Sequence, residues 1–305
     1  MRIVTYDELN NPDGFLQLME PAFRWAVHPD RVAEIRKHDP RFRDPYGFVL
    51  LQGRTPAGFV GVGDIPVRTR NGKVEQALGL HHVATLPACA RKGIAARLFE
   101  YVEDCYRARG YRFSFLFTTR SLVAWHLYHK LGYRDLPTME IAPRAHKLLT
   151  VHKKTPKLKH PKADHRLVEK LYAELNHNRY GFTARNPGWL KALEKIWRPS
   201  PGFVVSCRDG YALVENFRGA LWIDEFLCRN REAYLRIVDR LLRRKPEALV
   251  DCSVWDPVLK RIYREQGFKF RNRTYGTLMA KPLVRGASIR SAFGPRFHWT
   301  VADQF

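Results

Sequence analysis

The chain has 305 residues and carries 53 Lys and Arg against 30 Asp and Glu, a formal net charge of +23. Its length suits two domains, and a hydrophobic fraction of 45% supplies a core for each. An aromatic fraction of 12% excludes a disordered chain. The charge favours anionic partners such as nucleic acid, an acidic membrane or a phosphorylated cofactor, but a solvated basic surface has the same composition.

The compartment is predicted from hydropathy and cysteine usage. No apolar run has the length of a membrane span, and the N-terminus has no signal-peptide pattern. The five cysteines are scattered, odd in number and without a C-x-x-C pair. This argues against a disulfide framework or a zinc ribbon. We therefore predict a cytoplasmic protein without a metal site.

The first half of the chain predicts a mixed α/β domain. A strand at the N-terminus precedes two helical segments, and Asn71-Gly72 predicts a hairpin turn. Ser121 is predicted to cap a helix, and Gly110 and Gly132 to end helices. The other predicted elements are helices over 15–25 and 29–35, strands over 46–53, 58–69 and 74–86, a helix over 93–109, a strand over 111–117 and a helix over 121–131.

The second half repeats this order in outline. Tyr128 precedes Gly132 by four residues, and Tyr263 precedes Gly267 by four, each time before an aromatic residue. We infer an internal duplication. The predicted elements of this half are strands over 203–206, 211–215 and 220–228, a helix over 230–245, a strand over 248–254 and a helix ending at 267.

A lysine-rich and proline-containing segment over 146–164 separates the two halves. We interpret it as an exposed linker. An arm that binds nucleic acid is the alternative, although no aromatic residue interleaves the lysines to stack on bases.

Residues 83–98, VATLPACARKGIAARL, combine the end of a strand, a short loop and the start of a helix. Free amides at a helix N-terminus attract anions, and the helix dipole adds to their field. Small residues let a pyrophosphate approach the backbone, and cations add charge beside it. Ordinary strand-to-helix packing is the alternative reading of this segment. The residues concerned are Gly93, Ala95, Ala96, Arg91 and Lys92.

This segment resembles the pyrophosphate loop of the GNAT superfamily of N-acetyltransferases, where R/Q-x-x-G-x-G/A follows a strand. Gly93 and Ala95 match that motif, whereas Ala90 stands where the family has Arg or Gln, with Arg91 as the candidate substitute. The sequence AWHLYHKLGY at 124–133 matches the family's next signature. The resemblance covers about residues 1–142.

The tandem order resembles the enhanced intracellular survival type of GNAT acetyltransferase, which has a second, degenerate GNAT domain. Mycothiol synthase and Fem-type peptidyl transferases are other tandem relatives. The second half has no glycine at the corresponding turn, so we expect it to bind no CoA and to shape the acceptor cleft. We expect the sterol-carrier-like domain of the survival type to be absent. The predicted domains are 1–145, a linker over 146–164, 165–283, and a tail over 284–305 that docks between domains.

The resemblance implies an acetyl-CoA-dependent N-acetyltransferase in which an amine attacks the thioester directly. It implies that Tyr128 protonates the leaving thiolate, that the β-strand end receives the pantetheine arm, and that the loop amides hold the pyrophosphate. Tyr263 is predicted to be structural. The implied cofactor-binding residues are Val83, Ala84, Thr85, Arg91, Lys92, Gly93, Ile94, Ala95 and Ala96.

The proton acceptor has three candidates. A histidine suits amine deprotonation, and strand alternation sends only one of His81 and His82 toward the cleft. We take His82 as the predicted base, with Asp64 as the alternative. The survival type has its terminal carboxylate in the active site, which implies Phe305 in this chain.

The acceptor is a small-molecule or protein amine that the residues do not identify. Two other functions fit the same scaffold, because fold alone does not decide function. One is an aminoacyl or peptidyl transferase with an RNA partner. The other is a non-catalytic protein that binds acyl-CoA or nucleic acid. The sequence is compatible with a monomer or an oligomer.

Overall fold

A computed structural model describes residues 1–10, 12–23, 28–42, 45–137, 139–145, 164–197, 202–217, 219–272, 276–295, 297 and 303. These residues form two compact units. Unit 1 comprises Met1–Leu136 and Gly276–Pro295, and unit 2 comprises Pro137–Tyr275 with the described residues of Arg296–Gln304. Within these ranges, no helix combines the length and apolarity needed to span a membrane.

The elements follow in chain order. The first half contains β1 (Arg2–Thr5), α1 (Pro12–Phe23), α2 (Pro29–His38), β2 (Gly47–Gln52), β3 (Thr55–Arg68), β4 (Val74–Thr85), α3 (Ile94–Ala108), β5 (Phe113–Thr119), α4 (Val123–Lys130), β6 (Arg134–Asp135) and β7 (Glu140–Ala145). The second contains α5 (His165–Leu175), α6 (Trp189–Ala192), β8 (Gly202–Cys207), β9 (Gly210–Phe217), β10 (Ala220–Cys228), α7 (Arg231–Leu242), β11 (Ala248–Val254), α8 (Pro257–Glu265), β12 (Arg271–Asn272), β13 (Gly276–Pro282) and α9 (Ile289–Phe293).

Unit 1 is a seven-stranded mixed sheet covered on both faces. The strand order is β1-β2-β3-β4-β5-β13-β6, and β4–β5 is a parallel pair. Val60 and Val62 of β3 pack in the cluster that contains α3, whereas Phe59 contacts Phe15 of α1 with ring centroids 5.0 Å apart. Successive residues of a strand point to opposite faces, so α3 and α1 cover opposite sides of the sheet.

Unit 2 repeats this sheet. Its order is β12-β7-β11-β10-β9-β8, with β10–β11 as the parallel pair. When the two sheets are aligned on their parallel pairs, each strand of unit 2 has a counterpart in unit 1: β8, β9, β10, β11, β7 and β12 correspond to β2, β3, β4, β5, β13 and β6. β1 is an additional edge strand of unit 1. The two sheets confirm the predicted fold class, a mixed α/β protein with two tandem domains.

Two strands, β7 and β13, each join a different sheet from the one that their position in the chain predicts. The sequence analysis assigned 140–145 to the first domain and 276–283 to the second. Instead β7 pairs with β11 in the second sheet, and β13 pairs with β5 in the first. Side chains alternate in the same way in both strands, so the local sequence pattern does not identify the sheet that each strand joins.

The duplicated helix ends confirm the repeat found in the sequence. The Tyr133 N–H donates to the Tyr128 carbonyl at 3.0 Å, and the Phe268 N–H donates to the Tyr263 carbonyl at 2.9 Å. The intervening glycines have φ of +93° and +78°, which makes each end a Schellman motif. The predicted Ser121 cap is wrong, because α4 begins at Val123 and its N-cap residue makes no side-chain capping bond.

The tail folds partly on unit 1. The Arg70 N–H donates to the Ala292 carbonyl at 2.8 Å, and the Phe293 ring lies 5.0 Å from that of Phe113. In unit 2, Arg185 donates to Asp303 at 2.9 Å. Docking of the tail between domains stays a prediction. The predicted linker lies outside the described residues, except for its last residue.

Candidate active site

The two parallel strands of unit 1 separate toward one end. The ladder between β4 and β5 consists of three register pairs and ends at Leu80 and Leu116. Beyond these residues β4 continues to Thr85 and β5 to Thr119. Val83 to Thr85 have no ladder partner in β5 within this fully described stretch. The backbone edge of β4 is therefore open to another hydrogen-bonding chain.

A β-bulge lies where the strands separate. Phe59 of β3 pairs with Ala84 of β4, and Gly61 pairs with His81. Between these two pairs β4 advances by three residues, whereas β3 advances by two. His82 falls inside the bulge with φ of +47°, a left-handed conformation that is uncommon for a non-glycine residue. Such conformations concentrate at functional sites, where surrounding packing holds them.

A loop after β4 leads into α3 and exposes a run of backbone donors. Gly93 is the N-cap of α3 with φ of +76°, and Arg91 has φ of +61°. Arg97 is the first residue of α3 whose N–H makes a helical hydrogen bond, because it donates to the Gly93 carbonyl at 3.0 Å. In the described structure the N–H groups of residues 91–96 donate to no protein acceptor. Unengaged amides at the positive end of a helix dipole are groups that can bind an anion.

A glycine on β3 brings α3 close to the sheet at this point. A Cβ atom on Gly58 would lie 2.4 Å from Cγ2 of Ile94 and 3.0 Å from Cδ1 of Leu98. Both distances are shorter than packed carbon atoms allow. The helix N-terminus is thus held against the end of β4 by the absence of a side chain.

Unit 2 has no equivalent anion site at its corresponding turn. Only residues 229 and 230 connect β10 to α7. The side chain of Asn230 caps α7 by accepting from the Ala233 N–H at 2.9 Å. A donor at that helix end is therefore already satisfied, as is usual for an ordinary cap.

Tyr128 lies on α4 and packs against α3, the helix that begins after this loop. It shares a hydrophobic cluster with Phe99, Ile94 and Val83, and its ring centroid lies 5.5 Å from that of Phe99. Burial raises its pKa well above the usual range for tyrosine, so the hydroxyl stays protonated at neutral pH. No hydrogen bond from this hydroxyl to another described residue is found. Tyr128 thus belongs to the same core cluster as Val83 and Ile94, and its role as the proton donor stays a prediction.

His82 lies on the other face of the sheet, toward α1. Its ring centroid is 5.3 Å from that of Phe23, and its Nδ1 lies 2.6 Å from Nδ1 of His81. Burial lowers the pKa of His82 to about 4, so the imidazole is neutral at physiological pH. Of the two histidines, His81 is the one that is fully enclosed.

Two further residues that the sequence analysis singled out are engaged in other contacts, and a third lies outside the described residues. Asp64 is exposed and accepts from the Tyr111 hydroxyl at 2.8 Å, on the α3 side of β3. Tyr263 is buried in unit 2, where its hydroxyl donates to Asp251 at 2.8 Å. Phe305 lies outside the described residues. Asp64 is thus engaged away from the bulge, and Tyr263 has the structural contacts that were predicted for it.

The sequence analysis did not find the network beneath α4. The Tyr133 hydroxyl donates to Glu103 at 2.9 Å and lies 2.7 Å from Ser114 Oγ. Glu103 also pairs with Lys281. The signal available in the sequence was a glutamate on the apolar face of a helix, but its partner is 178 positions away.

A cavity of about 800 Å3 lies at the other end of β4 and α3. It is lined by the start of β4, the C-terminal end of α3 and residues 286–292. None of the residues of the bulge or of the loop before α3 lines it. Its size does not make it the acyl-CoA site, because the donors and the open strand edge are elsewhere.

Comparison with known proteins agrees with this geometry. The acetyltransferase (GNAT) family profile matches residues 13–133. No curated protein sequence matches the chain. Among solved structures, Eis1 from Mycobacterium abscessus is 16% identical with a TM-score of 0.64, and the match covers 92% of this chain and 73% of that one. A GCN5-related N-acetyltransferase from Anabaena variabilis is 15% identical with a TM-score of 0.68, and the match covers 93% of this chain and 73% of that one.

A tandem GNAT protein from the clavulanic acid biosynthesis pathway is 12% identical with a TM-score of 0.52, over 94% of this chain and 99% of that one. At these identities the structures establish the fold alone. The family match defines the class of this segment: residues 13–133 form a GNAT acetyltransferase domain. The two sheets repeat one strand order, and the solved structures of similar fold include Eis1 and a tandem GNAT protein.

Proposed function

We propose that unit 1 binds acetyl-CoA and transfers its acetyl group to an amine. The observation that carries this proposal is the run of unengaged amides at residues 91–96, next to the point where β4 and β5 separate. The open strand edge is followed along the chain by the unengaged amides of residues 91–96, which we call the anion cradle. This order suits a ligand that has a pyrophosphate and a peptide-like arm.

The residues fit such a ligand. Apart from its two chain neighbours, no atom of the described residues lies within 4 Å of a Cβ placed on Gly93, so these residues leave the approach to the amides open. Val83, Ala84 and Thr85 supply the strand edge to which amides of a pantetheine arm would bond. Arg91 and Lys92 are exposed beside the cradle and add attraction for phosphate. When bound, acetyl-CoA supplies the thioester that carries the acetyl group.

Tyr128 is the proposed proton donor to the departing sulfur. Its hydroxyl remains protonated, because burial disfavours the phenolate. The same apolar surroundings disfavour a thiolate, so a hydrogen bond or proton from Tyr128 favours departure of the sulfur. His82 is the proposed acceptor of the amine proton. The carboxylate of Phe305, which the survival-type resemblance implies, is the other candidate for that role.

The acceptor that we propose is an amine of a small molecule or a protein, in a cytoplasmic setting. A second function is favoured by the net charge of +23, namely transfer or binding with RNA as the partner. A steep loss of RNA binding between low and physiological salt, together with no acetyl transfer to amines, would support this second function.

The test is thiol release from acetyl-CoA across a panel of aminoglycosides, polyamines and peptides, with calorimetry of acetyl-CoA binding. We expect one acetyl-CoA per chain, because the corresponding turn of unit 2 is capped by Asn230. Absence of acetyl-CoA binding would reject the proposal.

Tyr128→Phe should lower kcat by about 10²-fold while acetyl-CoA binding is unchanged, since a general acid contributes at least that factor. Tyr106→Phe is the matched control, because Tyr106 is a buried tyrosine of the same cluster at the far end of α3. Full activity of Tyr128→Phe would remove the acid role.

A further inference from the structure

The cavity at the far end of β4 and α3 lies wholly within unit 1, and we call it the hairpin cavity. It is bounded by the turn between β3 and β4, by the residues that follow α3, and by residues 286–292. Its volume of about 800 Å3 falls in the range of roughly 300–1,000 Å3 that is usual for small-molecule sites. Every residue that lines it is described and belongs to unit 1.

Backbone hydrogen bonds hold two walls of the hairpin cavity in place. The Thr69 N–H donates to the Lys73 carbonyl at 2.8 Å, which closes the turn between β3 and β4. The Arg70 N–H donates to the Ala292 carbonyl at 2.8 Å, which ties this turn to the wall formed by residues 286–292. The cavity is thus formed before a ligand arrives, so binding requires little ordering of the chain.

Basic residues dominate the lining of the hairpin cavity. Four of its lining residues are basic, and Glu75 is the acidic one. Glu75 already pairs with Arg112, at 2.6 Å between Oε2 and Nη2. Lys73 and Arg109 form no ion pair with any residue that the structure describes. Two uncompensated cations beside one concavity leave a positive potential inside it, which attracts anions.

Arg109 is positioned without a carboxylate. It is the C-cap residue of α3, and its guanidinium carbon lies 5.2 Å from the centroid of the Tyr106 ring. The aromatic face and the negative end of the helix dipole both favour a cation there. Asp64 accepts from the Tyr111 hydroxyl at 2.8 Å and forms no ion pair with Arg109. Within the described ranges the guanidinium N–H groups of Arg109 donate to no acceptor, so they are available to a ligand.

Phosphate is the anionic group that these side chains suit. Its oxygens accept from two nitrogens of one guanidinium at once, and a lysine ammonium adds a point charge beside them. Val74 and Ala287 also line the cavity and offer apolar contact to an uncharged part of the same ligand. We propose that the hairpin cavity binds a small phosphorylated molecule, with Arg109 and Lys73 as the residues that hold its phosphate group.

This site is separate from the anion cradle. The 15 residues of α3 rise about 1.5 Å each, so the cradle and the hairpin cavity lie roughly 20 Å apart at opposite ends of the helix. The proposal therefore goes beyond the proposed function and does not depend on it.

The lining favours a small molecule over RNA. Tyr111 is the one aromatic residue among those that line the cavity. Proteins that bind single-stranded RNA stack successive bases on several aromatic side chains, and a single ring does not provide such a surface. RNA binding is therefore the competing outcome of the test.

Calorimetric titration of the full chain with inorganic pyrophosphate and with adenosine monophosphate tests the proposal. Each titration is made with and without saturating acetyl-CoA, because pyrophosphate also suits the anion cradle. We expect one site per chain for at least one of these probes, and we expect that site to persist when acetyl-CoA is present. No binding of either probe up to millimolar concentration would overturn the proposal, whereas absence of acetyl-CoA binding would reject the proposed function alone.

Substitutions in the lining locate the site. Lys73→Ala and Arg109→Ala should each weaken probe binding by about 10- to 100-fold, the loss expected for a hydrogen bond to a charged group. Arg109→Lys keeps a cation at the helix end and should still weaken pyrophosphate binding, because it loses the two-nitrogen contact. Arg54→Ala is the matched control, since Arg54 is an exposed basic residue at the turn between β2 and β3, and its loss should change the affinity less than about twofold.

Three results would overturn the proposal even if a probe binds. The first is equal weakening in Arg54→Ala and Lys73→Ala, which would reflect the net charge of the chain. The second is a matching loss of acetyl-CoA affinity in Lys73→Ala, which would make the cavity part of the acetyl-CoA site. The third is an oligoribonucleotide that binds more tightly than either probe and loses affinity in the same variants. Urea unfolding of Lys73→Ala should match the wild type, because this side chain is exposed.

Discussion

Substitution of Gly93 by alanine tests whether acetyl-CoA is held by the amides before α3. Gly93 has φ of +76°, and within the described part of the chain no atom beyond its two neighbours lies within 4 Å of a Cβ at this position. The substitution therefore adds backbone strain without a steric clash, about 1–2 kcal/mol for a left-handed residue with a side chain. If the loop relaxes to escape that strain, the binding-competent conformation is depleted by about 5- to 30-fold.

We expect the acetyl-CoA dissociation constant of Gly93→Ala, measured by isothermal titration calorimetry, to rise by that factor. Gly110→Ala is the matched control. Gly110 lies at the other end of the same helix with φ of +90° and equally open space, so it should lose similar stability in urea unfolding without weaker binding. Gly110 also lines the 800 Å3 cavity, so a loss of binding there would point to that cavity instead.

Wild-type affinity in Gly93→Ala would refute the reasoning, provided that urea unfolding detects the added strain. Equal loss of affinity in both variants would also refute it, because a general loss of helix stability would then explain the effect.

Three more predictions concern the same region. Arg91→Gly keeps φ of +61° without strain and removes one exposed charge, so acetyl-CoA affinity by calorimetry should fall less than about fivefold, and a larger loss would make the side chain the main contact. Gly58→Ala puts a Cβ 2.4 Å from Ile94 and should lower the free energy of unfolding, measured in urea, by about 1–3 kcal/mol. An unchanged free energy of unfolding would mean that α3 shifts freely to make room for the methyl group. His82 is neutral in the folded protein, where its pKa is about 4, compared with 6.5 in the unfolded chain. Because the unfolded chain binds the proton first as the pH falls, the free energy of unfolding decreases between pH 6.5 and pH 4, by about 3 kcal/mol for this group. His82→Gln should lose that much less over this range, and parallel pH curves for variant and wild type would contradict the burial of His82.

Most of the element pattern could be predicted from the sequence, because it depends on contacts between near neighbours. Apolar residues of α3 at Ile94, Leu98, Val102 and Tyr106 are four residues apart and all are buried in the core of unit 1. Gly110 ends this helix in a left-handed conformation, as its position predicts. The repeated Tyr and Gly-aromatic spacing likewise indicated two domains of one fold, which the two sheets confirm.

Features that depend on distant strands could not be predicted in this way. The exchange of β7 and β13 between sheets leaves no local trace, since a strand's alternation is the same whichever neighbour it joins. The bulge at His82 appears only when β4 is aligned with β3. Strand alternation alone therefore did not predict that the rings of His81 and His82 come within hydrogen-bonding distance of each other.

The sequence by itself determined the strand end, loop and helix start of residues 83–98, the tyrosine before the Gly-aromatic step, and the duplication, because each is a spacing within one segment. The tertiary structure decided which amides remain without an acceptor, where β4 and β5 separate, and how two adjacent histidines share one hydrogen bond. These depend on register between strands and on a close approach allowed by Gly58 and Gly61. Such relations exist only once residues far apart in the chain are packed together.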